Sequence, residues 1–209
     1  YYSQLEEIVS NNSVKREVII RLMYGFEFID TKKAVSYARK VLLLDKIDNW
    51  LLSKAEIIIS RNDFEFGNYA KARKSYRRIL NIDNNSDGAE AMYMLIYLTY
   101  LDDSLDLAEG LIFDMPNNFS DNYYIAKSFI LLSDIYISRG DKFQAKATLE
   151  SIIDNYDGEE LILLAKKKRE DIIESEIREE ITVEKIRYID IFEEELEYEL
   201  YDVADTLRK

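Results

Sequence analysis

The fold is decided by the stretch GNYAKARKSYRRIL at residues 67–80, which has the pattern of a turn followed by an amphipathic helix with a small residue near its start. Similar stretches occur at residues 31–42 (TKKAVSYARKVL), 103–113 (DSLDLAEGLIF) and 140–153 (GDKFQAKATLESII). Their small residues are Ala34, Ala72, Ala108 and Ala145, which are separated by 38, 36 and 37 positions. A regular interval of this length indicates a repeat architecture.

A second apolar segment with a helical period precedes each of these stretches, at residues 15–28, 51–60, 89–101 and 126–138. Each repeat is therefore predicted to be a pair of helices, and pairs of this kind must stack to bury their apolar faces. The 209 residues include one proline and six glycines, too few for the turns of an all-β fold. We expect an all-α protein in which Pro116 lies just after the end of a helix.

These helix pairs resemble the tetratricopeptide repeat, in its divergent bacterial form. The repeat at residues 126–157 is the best match; it carries Phe129, Leu132, Ser133 and Tyr136 in its first helix and Ala145, Leu149, Ile152 and Asp157 in its second. The small Ser133 and Ala145 suit a point where the two helices pass closely. The resemblance implies an all-α, right-handed α-solenoid of stacked helical hairpins.

The repeat positions divide the chain into four parts. Residues 1–13 are interpreted as the tail of a preceding repeat, so we expect the chain to be part of a longer solenoid. Residues 14–157 are predicted to form about four helix pairs, and residues 158–176 a helix that caps the stack. Residues 177–209 are predicted to be an acidic C-terminal extension. Its apolar residues follow a helical period in most places and alternate like a strand in others, and we favour the helix.

The chain contains no cysteine and no histidine. This composition excludes thiol nucleophiles, disulfides, Cys/His zinc sites, imidazole bases and haem ligation by histidine. We therefore expect no cofactor and no enzyme activity; a catalytic site would have to use Asp, Glu, Lys or Tyr alone. The segment DNNSDG at residues 83–88 matches the opening of a calcium loop, but the twelfth position is Met94 instead of glutamate. We favour a structural link between two repeats.

The net charge is −13, and residues 159–209 carry 17 acidic and 9 basic side chains. This charge disfavours binding to nucleic acid or to an anionic membrane surface. The basic segment at residues 71–78 is interpreted as a solvated outer face of a helix. No apolar run is long enough to predict a transmembrane segment. The family resemblance implies a bacterial periplasm or cell envelope, and a cytoplasmic location stays open.

Tyr93, Tyr97 and Tyr100 recur at positions i, i+4 and i+7 of one helix and are the main candidates for a binding site. The family resemblance implies that these offsets point into a concave groove that holds peptides. The same offsets select Lys54 and Arg61 in the preceding repeat, and Lys127, Ile130 and Asp134 in the following one. Tyrosine suits a binding surface because it offers a large apolar area and a polar tip. The alternative is that these tyrosines only pack between repeats.

The leading functional hypothesis is a non-catalytic protein–protein interaction or scaffold module that binds a protein or peptide in this groove. The alternative is a structural or self-association segment of a larger helical-repeat protein with no ligand groove. The acidic extension is a candidate for self-association, since an apolar helix commonly docks into the groove of its own or a neighbouring molecule.

Overall fold

The computed structural model describes residues 11–82 and 84–206, with side-chain surroundings up to Glu197. The predicted tail at residues 1–10 lies outside the described residues. Every regular element in the described part is an α-helix, which confirms the all-α fold class. The helices are α1 (Asn12–Phe26), α2 (Thr31–Val41), α3 (Asn49–Glu65), α4 (Tyr69–Leu80), α5 (Ser86–Leu101), α6 (Leu105–Asn118), α7 (Asn122–Ser138), α8 (Lys142–Asn155) and α9 (Glu159–Thr206).

The chain divides into two compact units, one ending at Asp141 and the other beginning at Lys142. In the first unit, helices α1 and α2, α3 and α4, and α5 and α6 form antiparallel hairpins, and α7 packs against α5 and α6. The first helix of each later hairpin also contacts the preceding hairpin. The buried apolar residues form two clusters, one from α1 to α5 and one from α5 to α7, and α5 contributes to both. In the second unit, α8 packs against α9.

The four alanines that revealed the repeat are all buried, with Ala34 1% exposed and Ala72, Ala108 and Ala145 fully enclosed. Each lies on the second helix of its predicted pair, in the first or second turn. A methyl side chain at this point allows a neighbouring helix to approach closely, and a larger side chain would force the helices apart. The sequence interval therefore reports the position of the closest packing in each repeat.

The turns that follow α3, α5 and α7 share one backbone geometry. Gly67, Asp103 and Gly140 have positive φ angles of 73°, 57° and 78°. At each turn, this residue and the next donate hydrogen bonds back to carbonyls of the preceding helix, as Gly67 N does to Phe64 O (2.9 Å) and Asn68 N does to Asp63 O (2.8 Å). This Schellman arrangement ends a helix and favours glycine at the left-handed position. Asp103 occupies it in the second of these turns.

Side-chain caps begin several of the helices at the Asn- and Asp-rich links. Asn85 accepts a hydrogen bond from Asp87 N (2.9 Å), and Asp121 accepts one from Tyr123 N (3.1 Å). From Ser86 onward, the segment that resembles a calcium loop is the first turn of α5, so Asn85 caps a helix there. Asp83 lies outside the described residues.

Pro116 does not follow the end of a helix, as we predicted, but lies in the last turn of α6. The helix continues to Asn118, and Phe119 N still donates to Met115 O at 3.0 Å. Proline removes its own N–H donor and its ring crowds the carbonyl four residues earlier, so at this position it disturbs one turn at the end of α6 and leaves the rest of the helix intact. The prediction was wrong because it treated proline as a marker of the helix end.

In the second unit, α9 is one helix from Glu159 to Thr206, without a break at the boundary that we placed after Glu176. Its first part buries Leu161, Ala165 and Ile172. Ion pairs tie it to α8 as far as Glu179, which lies 2.6 Å from Lys142 Nζ. Among the described helices, none combines the length and the apolar character that are needed to cross a membrane.

Candidate interaction surface

The three predicted tyrosines of α5 stack against one another along the helix. The ring centroids of Tyr93 and Tyr97 are 6.3 Å apart, and those of Tyr97 and Tyr100 are 6.2 Å apart. The interplanar angles of 16° and 26° make both contacts stacked. All three side chains are half-buried. The i, i+4, i+7 spacing thus produces a row of rings on one side of α5.

Aromatic side chains from three other helices extend this row on both sides. Phe64 of α3 lies 5.9 Å from Tyr97 and 5.3 Å from Tyr69 of α4, measured between ring centroids. On the other side, Tyr124 of α7 lies 6.1 Å from Tyr93 and 5.1 Å from Tyr123. We call this set of seven rings in contact the aromatic surface; it comprises Phe64, Tyr69, Tyr93, Tyr97, Tyr100, Tyr123 and Tyr124.

Charged residues lie at the α7 side of the aromatic surface. The Nζ atom of Lys127 is 4.8 Å from the centroid of Tyr93 and 5.5 Å from that of Tyr123, so the ammonium group makes cation–π contacts with both rings. Asp134, one of the predicted site residues, is half-buried on the same helix. Lys127 and Asp134 therefore supply charge next to the α7 end of the surface.

Burial raises the pKa of two tyrosine hydroxyls of this surface. It raises the pKa of Tyr93 above the ordinary value of 10.0, with further contributions from Tyr97, Tyr123 and Asp134. The pKa of Tyr124 is also raised, first by burial and then by the hydrogen bond that its hydroxyl donates to Glu90 Oε2 (2.6 Å). Both side chains are therefore neutral donors at physiological pH.

Two hydroxyls of the tyrosine row form no hydrogen bond within the described part of the protein. In the part of the chain that the structure describes, the hydroxyls of Tyr93 and Tyr97 make no hydrogen bond to another residue and are not enclosed. Their rings are packed while their polar tips reach solvent. This combination is typical of tyrosines that contact a partner.

The predicted residues Lys54 and Arg61 belong to a cluster of ion pairs between successive first helices of the repeats. Lys54 Nζ lies 2.8 Å from Glu27 Oε1, directly after α1, and Arg61 Nη1 donates to the same oxygen at 2.9 Å. Arg61 also donates to both carboxylate oxygens of Glu90 on α5, each at 2.5 Å. We call Glu27, Lys54, Arg61 and Glu90 the ion-pair cluster.

The ion-pair cluster is shielded from solvent mainly on its acidic side, where the side chains of Glu27 and Glu90 are 6% and 8% exposed. The hydrogen bonds to Glu90 raise the pKa of Arg61 above its ordinary value. Bidentate pairs of this kind fix the relative position of the groups that carry them. Lys54 and Arg61 are thus engaged in holding α1, α3 and α5 together.

Sequence reasoning missed Glu27 and Glu90. A signal was present in their spacing, because Arg61 lies 34 positions after Glu27 and 29 before Glu90, and Tyr124 lies 34 after Glu90. These separations are close to one repeat. Charged residues of opposite sign at about one repeat interval are candidates for pairs between adjacent repeats.

Ile130, another predicted site residue, is only 4% exposed and belongs to the interior of the first unit. The basic segment of α4 is partly neutralised within the chain. Arg73 donates to Asp102 Oδ2 at 2.5 Å, and Arg78 pairs with the buried carboxylate of Glu56. The structure thus brings Tyr93, Tyr97, Tyr100 and Lys127 together and places Ile130 outside that surface.

Comparison with known proteins identifies the repeat. Residues 123–158 match the family model of the tetratricopeptide repeat. The crystal structure of BtubC (BKLC) from P. vanneervenii is similar to this chain, with a TM-score of 0.59 and 18% sequence identity over 85% of each chain. The crystal structure of MamA protein has a TM-score of 0.49 and 20% identity, over 76% of this chain and 86% of that one. No curated protein sequence is significantly similar to this chain.

The family match covers α7 and α8, the repeat in which the sequence resemblance was clearest. The similarity to BtubC concerns the fold and covers most of the chain. The repeat supports a protein-interaction or scaffold module in general terms. The predicted resemblance is therefore confirmed, and residues 123–158 are a tetratricopeptide repeat.

Proposed function

We propose that this protein binds a segment of another protein through the aromatic surface. The observation that carries the proposal is the row on α5, where stacked rings of Tyr93 and Tyr97 leave unpaired hydroxyls facing solvent. A partner would bury the exposed parts of the rings and accept hydrogen bonds from the hydroxyls. Tyrosine is enriched among the residues that dominate binding energy at interfaces for these two reasons.

The arrangement of the rings lowers the entropic cost of binding. Tyr97 has ring contacts with Phe64, Tyr93 and Tyr100, so its side chain is already held in place before a partner arrives. Immobilising a free side chain at an interface costs about 0.5–1.5 kcal/mol, and a side chain that is fixed in advance avoids this cost. The ion-pair cluster supports the same geometry, since it links α3 to α5 through Arg61 and Glu90.

The surface also indicates the chemistry of its ligand. Neutral hydroxyl donors favour a segment that presents backbone or side-chain oxygen acceptors, and the ring faces favour apolar side chains between them. Lys127 and Asp134 provide charge of both signs beside the rings and would determine the orientation of the ligand. We propose a non-catalytic role, since the chain has neither cysteine nor histidine to serve as a nucleophile or an imidazole base.

The experiment selects peptides from a random phage-displayed library on the full chain and measures their affinity by calorimetry. Changing Tyr93, Tyr97 and Tyr100 together to Ala should reduce the affinity by at least about 30-fold, since each ring of such a site is a candidate for a contribution of about 2 kcal/mol. Tyr97→Phe keeps the stacked ring and loses only the hydroxyl, so its loss of affinity should be smaller.

Phe113→Ala is the matched control, because Phe113 is an aromatic residue on α6 that is 49% exposed and lies outside the aromatic surface. The Phe113→Ala variant should bind the selected peptides with the same affinity as the unmodified chain. Circular dichroism and thermal unfolding establish that each variant is folded. Selected peptides that bind the folded triple variant and the unmodified chain equally would overturn the proposal.

The second candidate is a structural or self-association segment of a larger helical-repeat protein. The ion-pair cluster favours it, because Lys54 and Arg61 connect repeats and are not free for a partner. Under this alternative, the tyrosine row only packs between helices. If the unmodified chain captures a partner protein and the triple tyrosine variant captures it equally well, this second candidate is favoured.

A further inference from the structure

The C-terminal part of α9 carries a set of apolar side chains with nothing packed on them in the described part of the chain. Six of these lie between 43% and 74% exposed, although they are isoleucine, leucine, tyrosine and phenylalanine. We call this set the α9 row; it comprises Ile177, Ile181, Tyr188, Ile189, Phe192 and Leu196. Scattered apolar residues on a surface are normal, but a contiguous exposed set marks an interaction site.

The α9 row lies on one side of its helix. At 100° of rotation per residue, its six members fall within a sector of about 120°. A sector of this width is the apolar stripe of a helix that packs against another element. Lys185 falls in the same sector, between Phe192 and Leu196 in rotation about the helix axis.

The charges of this segment are unequally distributed along α9. Residues 177–187 contain three basic and three acidic side chains, whereas residues 188–197 contain five acidic ones and no basic one. A parallel pair of such helices would place the two acidic halves side by side, which is unfavourable. An antiparallel pair places each acidic half next to the half that contains Arg178, Lys185 and Arg187.

We propose that α9 pairs with α9 of a second copy of this chain in an antiparallel two-helix interface. With the two-fold axis between Tyr188 and Ile189, Ile181 of one copy lies opposite Leu196 of the other, and Lys185 lies opposite Phe192. This contact between ammonium group and ring is favourable. The interface is isologous, so each contact occurs twice.

Apolar and cation–π contacts are satisfied by this one alignment, which also keeps the two acidic halves apart; this is the reason to choose a second copy as the occupant. A strongly basic partner protein would complement the acidic half but not residues 177–187, whose three acidic and three basic side chains have no net charge. The inference is independent of the proposed function, since it involves no residue of the aromatic surface.

The absence of cysteine from the chain permits a direct test by disulfide formation. Full-length Ile181→Cys and Leu196→Cys chains are prepared separately, mixed and oxidised. In the proposed pair, the two introduced cysteines lie opposite each other, so the disulfide that joins one variant to the other should form in excess over both homodisulfides. Glu194→Cys on the opposite side of the helix is the control and should give no dimeric disulfide above background.

Sedimentation of the unmodified chain at micromolar to millimolar concentrations measures how strongly the dimer forms. Phe192→Ala should weaken the dimer at least about 100-fold, since two buried phenylalanines are lost for each pair of chains. Val183→Glu, on the other side of α9, should leave the dimer unchanged, and circular dichroism shows that both variants keep their helices. An unmodified chain that sediments as a monomer throughout, or a preference for Ile181–Ile181 and Leu196–Leu196 disulfides, would overturn the proposal.

Discussion

Helices α5 and α9 contain similar apolar residues in different surroundings. Ile96 of α5 is fully enclosed, because α4, α6 and α7 all contact this helix. Ile186 of α9 is 54% exposed, beyond the part of the helix that is tied to α8. The comparison shows that a helical period identifies the helix but does not identify what covers its apolar residues. The neighbouring repeats cover α5, and we propose that a second copy covers the α9 row, which lies on a different side of α9 from Ile186.

The largest effect is expected from removing an enclosed side chain of α5. Ile96→Ala should reduce the free energy of unfolding by about 2–5 kcal/mol, because it removes buried methyl groups and leaves a cavity. Ile186→Ala in α9 removes the same atoms from an exposed position and should change the free energy by less than about 0.5 kcal/mol. Denaturant unfolding followed by circular dichroism measures both changes. Equal losses in the free energy of unfolding would contradict the difference in surroundings between Ile96 and Ile186.

The next largest effect concerns the buried charge of α5. Glu90→Gln should cost about 1–3 kcal/mol, since the bidentate contact with Arg61 and the hydrogen bond from Tyr124 are both weakened. Glu194→Gln in α9 is the matched substitution at an exposed position and should have little effect on thermal unfolding of the monomer. A Glu90 variant as stable as the unmodified chain would show that the ion-pair cluster does not hold the repeats together.

A smaller effect is expected at alkaline pH. The pKa of Tyr93 is raised in the folded chain, so above pH 10 the unfolded chain loses this proton first, and stability falls as the pH rises. At pH 11 this residue alone should cost about 1 kcal/mol, and Tyr93→Phe should remove that part of the loss. Denaturant titrations at pH 8 and pH 11 measure the difference, and an identical loss of stability in both chains would contradict the partial burial of the Tyr93 side chain.

The smallest effects test the hairpins themselves. Gly67→Ala should destabilise the first unit by about 1 kcal/mol, because the φ angle of 73° strains any residue with a β-carbon. Gly110 is a helical glycine with open space around the position of a β-carbon, so Gly110→Ala should stabilise α6 by about 0.5–1 kcal/mol. Thermal unfolding of the two variants should therefore shift in opposite directions.

The sequence predicted the helix pairs because their closest contacts require a small residue once in every repeat. Ala72 and Ala108 mark such contacts, and both are fully enclosed. The sequence did not predict the partners of Lys54 and Arg61, because the offsets that select exposed positions say nothing about the acids of the adjacent repeats. Ile130 shows the same limit. Its offset predicted a groove position, but the structure encloses its side chain.

The sequence also did not predict where helix α9 ends. Residues after Glu176 have both a helical period and short alternating stretches, and few residues there favour a turn. Nothing in that pattern stops a helix, and α9 continues to Thr206. The tyrosine row was predicted from three residues, whereas the rings of Phe64, Tyr69, Tyr123 and Tyr124 join it only through the packing of other helices.

The central claim is that the aromatic surface is where a partner protein binds. The most direct measurement places a photo-crosslinking phenylalanine analogue at Tyr97 in one chain and at Phe113 in another, and exposes cells that express each chain to light. We predict a covalent adduct with a partner protein at Tyr97 and none at Phe113. A folded Tyr97 variant that forms no adduct while the Phe113 variant does would contradict the claim.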